Sequence, residues 1–331
     1  MPALSQVNQV GKKLDIADFI AVADMRNTPF STMIPKGKPE IVSLFSVPAD
    51  AYDQAKTTPG VDGQDVTQFE DAGKFRGLIY SRDQLFERTA MVTTKAEASA
   101  NRGGIGGGIK SEMARAKAKK AKEYKKDQET VYLSDQDSQP DDGKNGGKTR
   151  GVGFWLSGNA PTDAPADIPA QFRTPAAQIY SDVISNFTED ALRTLLQKRW
   201  EQVGMPEGVL TAITGSEVKN KVTDFSRYAQ DRDTQTSVRF YQTTDLARIS
   251  ATVDVYEGDY GTVEWHLANF LPDMYRAYIL DWGFWEQREL INPNWKDLEN
   301  KGGGPRALLQ GVMGIICSNP LGQIMIKSRN G

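Results

Sequence analysis

The segment Gly103–Ser111, GGIGGGIKS, sets a lysine and a serine after a glycine run and ahead of a long alanine- and lysine-rich stretch, which is the layout of a phosphate-binding loop. Such a loop needs glycine directly before the lysine so that the backbone can wrap the phosphates, and that position is Ile109. The preceding KAEASANR is no buried apolar strand, so the glycines read as a flexible hinge. Asp135, Asp137, Asp141 and Asp142 in SDQDSQPDDGK suggest a calcium loop, but its glycine position falls on Pro140 or Asp142 and no glutamate closes either register. A solvated surface loop is the better reading. His266 is the only histidine and Cys317 the only cysteine. These counts exclude an intrachain disulfide and every metal site built from several thiolates or imidazoles. His266 lies in the strand-like TVEWHLANF, where a packed or surface role is usual, and no Ser-His-Asp set can be defended. Asp and Glu pairs are abundant but define no cleft. No catalytic residue, no cofactor and no metal ligand is assigned, and the chain reads as a non-enzyme.

Two groups of residues remain. Between Lys110 and Lys126 stand eight basic residues, Lys110, Arg115, Lys117, Lys119, Lys120, Lys122, Lys125 and Lys126, against Glu112 and Glu123. Helical cations at that density neutralise phosphates without reading sequence. Lysines are also good surface helix formers, and with no folded DNA-reading motif in the chain a solvated face is the favoured reading of the run by itself. Trp265, Trp282, Trp285 and Trp295 gather four of the six tryptophans into one stretch. Stacking on sugars or unpaired bases is one use of such residues, and core packing or subunit contact is the commoner one.

The elements that must position these groups follow from pattern. At 331 residues, 39% apolar and 25% charged, the chain can bury a sizeable core, and thirty glycines put much of it into loops and arms. Net charge is only -3, so any contact with nucleic acid must be local. No apolar run reaches signal-peptide length near the start and none spans 18 residues, which places the protein in a cytoplasm-like compartment without membrane attachment.

Residues 1–40, broken by NTPF and PKGKP, read as an extended arm with a helical turn near Asp15–Ala23. IVSLFSV (41–47) and RGLIYSRDQLFERTAMV (76–92) are β-rich and flank a polar, turn-rich segment, which predicts a long hairpin with no core of its own to pack on. Ser111 caps a predicted helix over 111–134 with a narrow apolar stripe. Thr188–Val203 is a second helix with Thr188 as cap and Gly204 as stop, and Glu217–Phe225 a third. Strands are expected at 208–214, 247–256, 261–267, 276–280, 306–317 and 323–327. Segregated helices and strands argue for an α+β fold.

The order of these parts resembles the major capsid protein fold of tailed bacteriophages and herpesviruses, over nearly the whole chain. VGKKLDIADFI (10–20) and NTPFSTMI (27–34) are similar to the arm of one phage capsid family, and Thr188–Gly204, VYEGDYG (255–261), Leu271-Pro272-Asp273 and Leu280-Asp281 follow its later pattern. Ser46 stands after Phe45 where that family often has tryptophan, and the glutamate common in the last long strand is replaced within GVMGIICSNP. The resemblance implies an N-terminal arm (1–40), an extended β-hairpin loop (41–94), a peripheral domain with a spine helix (95–150 and 301–319) and an axial domain (151–300 and 320–331). It implies a structural subunit that forms pentamers and hexamers of an icosahedral shell around double-stranded DNA, assembled in the host cytoplasm, with portal, scaffolding or decoration proteins as further partners. Lys117, Lys119, Lys120 and Lys122 would face the packaged DNA, and Tyr52, Asp62 and Phe69 would be intersubunit contacts at the loop tip. The competing reading is a non-specific nucleic-acid-binding protein using the basic helix 110–126.

Overall fold

The computed structural model describes residues 24, 26–53, 55, 57, 59, 62, 63, 65, 69, 76–103, 111–163, 167–228 and 254–330. The helical turn expected near Asp15–Ala23, most of the glycine hinge and residues 247–253 of one expected strand lie outside them. In chain order the elements are α1 (Pro29–Met33), β1 (Leu44–Ala49), β2 (Gly77–Arg82), β3 (Gln84–Met91), α2 (Thr94–Gly103), α3 (Glu112–Tyr132) and α4 (Val152–Trp155). They continue with β4 (Ile179–Tyr180), α5 (Glu189–Val203), β5 (Leu210–Thr214), α6 (Ser216–Tyr228), β6 (Val255–Gly258), β7 (Gly261–Leu267), β8 (Arg276–Leu280), β9 (Trp285–Leu298), β10 (Arg306–Cys317) and β11 (Ile324–Lys327). The mixture is α+β.

The described strands form three sheets: the antiparallel pair β1-β2, the three-stranded β3-β10-β9, and a six-stranded mixed sheet in the order β4-β11-β8-β5-β7-β6. One core lies around the first two sheets and α3, the other between the six-stranded sheet and the helices α5 and α6. The central strands β5 and β8 are buried at every position, which is why LTAIT and RAYIL read as continuous rather than alternating runs.

Helix α3 begins where Ser111 accepts from the Ala114 N–H at 3.2 Å. Glu97 of α2 strengthens that start by accepting from the Ser111 hydroxyl at 2.7 Å and the Met113 N–H at 2.9 Å. Its buried face is narrow but not the apolar stripe expected, because Gln128 and Glu129 are buried beside Tyr124 and Tyr132, and both tyrosines meet Phe86 of β3 edge-on at 6.1 and 6.0 Å between ring centroids. Thr188 caps α5 through the Ala191 N–H, and Gly204 at φ 88° ends it.

Four expectations are corrected. The run 76–92 is two strands divided at Asp83, with β2 paired to β1 and β3 to β10. The hairpin formed by β1 and β2 is not without a core, because Phe45 and Ile79 are buried in that of the subunit. Within residues 1–40, α1 is a true helical turn, with Pro29 at its first position where the missing N–H costs nothing. Finally, the tryptophan-rich stretch conceals β9, a 14-residue strand along β10. Pro293 within it made a strand hard to expect, and the pairing absorbs it where the register shifts near Gly311.

Candidate assembly surfaces and the basic helix

The base of the β1-β2 hairpin is clamped to its own subunit. Ser81 donates to the Ile315 carbonyl at 2.7 Å, the Tyr80 N–H to the Asp167 carbonyl at 3.0 Å, and Arg82 pairs with Asp163 at 2.6 Å. A methyl group at Gly314 would come within 3.0 Å of the Phe45 ring and meet the Arg82 backbone, so only glycine lets β10 approach the hairpin this closely. Arg150 lies beneath, fully buried, bonded to Asp137 at 2.8 Å, the Ser138 hydroxyl at 3.0 Å and the Tyr80 carbonyl at 3.1 Å, with its guanidinium 4.9 Å from the Trp155 ring centre. Burial pulls the Arg150 pKa down while Asp137 acts to raise it.

The tip is different. Tyr52 is fully exposed, Phe69 is 88% exposed, and Asp62 stands in an exposed turn with Gly63 at φ 78°. Among the described residues no hydrogen bond, ion pair or ring contact joins these three. Ile41 and Val42, just ahead of β1, are exposed as well. Tyr52 and Phe69 thus present apolar area at the surface.

The arm is fixed by α1. Phe30 is completely buried against Tyr132, Trp282 and Trp285 at ring-centroid distances of 5.9, 5.5 and 6.0 Å. The buried Glu129 carboxylate accepts the Phe30 N–H at 2.9 Å and the Ser31 N–H at 2.7 Å, standing in for the side-chain cap that Thr28 does not supply. Burial raises the Glu129 pKa against the opposing effect of those two N–H bonds. The following chain adds to the edge of β9, where Gly37 and Gln287 exchange backbone bonds with Gln287 and Pro35 at 2.8 Å.

The cations of α3 divide into two sets. Lys117 pairs with Asp297 at 2.8 Å and lies over Trp295, and Lys120 pairs with Glu123 at 2.6 Å. Lys119 and Lys122 are exposed and make no ion pair among the described residues. The four lysines singled out from the sequence are thus not equivalent. Lys126 is bonded to Asp24 at 2.6 Å.

The remaining candidates are structural. Asp135 pairs with Arg276, Asp137 with Arg150, and Asp141 and Asp142 cap the turn over residues 141–145. No group of three His, Cys, Asp or Glu side chains suited to a metal is found among the described residues. His266 is half-exposed beside Glu264, and Cys317 is wholly buried with its thiol pKa raised by burial. Trp265 and Trp285 are core residues. Missed from sequence was Arg199 of α5, buried and bonded to Asp281 at 2.8 Å and to the carbonyls of Gly322 at 2.7 Å and Gly204 at 3.1 Å. In the sequence it is one more helix cation; only its place at i+4 from the buried Leu195 hinted otherwise.

A comparison with curated protein sequences finds no match. Among solved structures the chain is similar to the capsid protein of Cyanophage A-1(L), at TM-score 0.68 and 12% identity, covering 99% of this chain and 100% of that one. It is similar to the capsid protein of a native GTA particle at TM-score 0.62 and 12% identity, with 99% of each chain covered. A third likeness is to the capsid of Cyanophage P-SCSP1u, at TM-score 0.61 and 9% identity, covering 96% of this chain and 93% of that one. At identities this low the structural likeness shows the fold alone, that of tailed-phage major capsid proteins. The SU10 major capsid protein family matches residues 4–328, almost end to end. With its arm anchored on the core and its loop tip bare, the chain belongs to the SU10 major capsid protein family, structural proteins of the bacteriophage virion shell.

Proposed function

We propose that the chain assembles through pentamers and hexamers into an icosahedral capsid that encloses double-stranded DNA, with assembly in the host cytoplasm. The observation that carries this reading is the contrast along one hairpin: a base locked into the subunit core and a tip that exposes Tyr52, Asp62 and Phe69. In this reading residues 1–40 are the arm, 41–94 the extended loop, 95–150 with 301–319 the peripheral domain, and 151–300 with 320–331 the axial domain. Arm and loop lie over neighbouring subunits, and many weak contacts on a closed shell multiply into high stability. The subunit has a structural role and no catalytic one. Lys119 and Lys122 offer the DNA contact, while Lys117 ties α3 to Asp297 and Lys120 is engaged by Glu123 within the helix. Portal, scaffolding or decoration proteins are its further partners in this reading.

Electron microscopy of the chain expressed with its phage partners tests this. Pentamers, hexamers or closed shells are expected, and deletion of Asp53–Gln68 should leave a folded subunit that forms none. A well-folded monomer that persists at high concentration with those partners present would overturn it. Binding of duplex DNA by such a monomer would support the nucleic-acid-binding reading of the basic helix in its place.

A further inference from the structure

One face of α3 carries the exposed Arg115, Lys119 and Lys122 and the half-buried Lys126 at i, i+4, i+7 and i+11. At 3.6 residues per turn these fall within about 60° of arc and about 17 Å of helix, a single row opposite the buried Tyr124. One acidic group from elsewhere in the chain enters this row. Asp24, within the arm, accepts Lys126 Nζ at 2.6 Å and Arg26 Nη2 at 2.9 Å on one oxygen, and Arg26 Nε at 3.0 Å and the Arg26 N–H at 3.1 Å on the other. Two oxygens gripped by a guanidinium fork and an ammonium is the way a phosphate is held.

We infer that Asp24 occupies the place of a nucleic-acid phosphate at the end of the basic row on α3, so that the arm and a phosphate backbone compete for Lys126 and Arg26. The inference rests on the reading that this face meets DNA, and adds that the arm regulates it. With Asp24 seated and Arg115 paired to Glu112 at 2.9 Å, the row offers Lys119 and Lys122. With Asp24 displaced, two more cations join, and the row gains phosphate contacts without any movement of the helix. Arg26 keeps a hold on the subunit through the Phe270 ring, 5.2 Å away, so it stays near the row when its carboxylate leaves.

The test uses the full-length, unassembled chain and a short fluorescent duplex, with anisotropy read as salt is raised. Each cation engaged steepens the dependence of log K on log salt by about 0.9. Asp24→Asn should therefore add roughly 0.9–1.8 to the slope, an extra loss of affinity of about threefold to twelvefold between roughly 50 and 200 mM salt. Lys126→Gln should change little in the parent and should cancel part of the gain in the Asp24→Asn background. Lys119→Gln with Lys122→Gln should flatten the parent slope. If that pair flattens the slope while Asp24→Asn matches the parent in slope and affinity, the competition is refuted and the DNA-facing row stands. If neither the parent nor Asp24→Asn binds duplex at low salt, both fall together. Binding by Asp24→Asn alone would support the competition in its strongest form.

Discussion

Truncating Phe30 to alanine asks whether the arm is part of the folded subunit or merely rests on it. Phe30 is completely buried, and its ring touches one aromatic side chain from α3 and two from the segment that opens β9. Removing a phenylalanine from a close-packed site costs about 3–5 kcal/mol, transfer and cavity together. A ceiling applies here, because α1 has only five residues and cannot persist alone. If the cavity costs more than the docking of α1 is worth, the turn undocks and the loss stops there. Undocking forfeits two hydrogen bonds to the buried Glu129, each worth about 1.5–3 kcal/mol, so the ceiling does not fall below the cavity cost. The expected loss is about 3 kcal/mol or slightly more, and Phe30→Leu should cost roughly half as much because it refills most of the cavity.

The assay is urea unfolding of the unassembled subunit followed by tryptophan emission, since Trp282 and Trp285 form two walls of the pocket. A loss for Phe30→Ala within the roughly 0.5 kcal/mol typical of surface sites would refute the docking. So would a leucine variant no better than the alanine one, which would place the effect in the unfolded chain.

Three further outcomes are expected. Arg199→Met should destabilise the subunit by about 3–5 kcal/mol in the same titration, because Asp281 and two backbone carbonyls lose their shared donor inside the protein. Glu129 has a raised pKa in the folded protein, so folded chains bind its proton more tightly than unfolded ones, whose value is about 4.3. Its contribution to stability is thus fullest at low pH and is lost as pH rises through the raised value. The stability gap between the parent and Glu129→Gln should narrow over that window, and a gap that widens would show the sign to be wrong. Cys317 should resist thiol reagents in the native subunit and react at the rate of unfolding, which a colorimetric thiol assay across urea concentrations measures directly.

Much of this architecture was legible because the signals are local. Ser111 and Thr188 announce helix starts by a hydroxyl that serves the N–H three residues on, and Gly204 announces a stop, so α3 and α5 came within two residues of their observed ends. The central strands β5 and β8 were readable from short runs rich in β-branched and apolar residues, LTAIT and RAYIL. What stayed hidden depends on partners far away in sequence. The break at Asp83 exists because β3 pairs with β10, more than two hundred residues on, and no neighbouring residue encodes that change of partner. β9 has a proline, several charges and an outer half largely exposed, all of which argue against a strand until its neighbour β10 is known. The split of the basic run into engaged and open lysines was equally out of reach, since Asp297 and Asp24 come from 180 and 102 residues away.

The separation of base from tip has a consequence for how substitutions act. Phe30, Arg150, Arg199 and Glu129 are each buried and bonded within one chain, so changing any of them lowers the stability of the subunit before a shell exists. Tyr52 and Phe69 are exposed and make no ring contact or ion pair among the described residues, and their replacement by serine should leave urea midpoints unchanged. A contact repeated across every subunit of a shell magnifies a small loss per copy, so a deficit of about 1 kcal/mol at each tip suffices to suppress closed particles at concentrations where the parent assembles. Subunit stability and particle yield should therefore vary together for core substitutions and separately for tip substitutions. Particle yield that fell only when subunit stability fell would mean that the exposed tip carries no assembly energy, and that the shell is held by surfaces nearer the two cores.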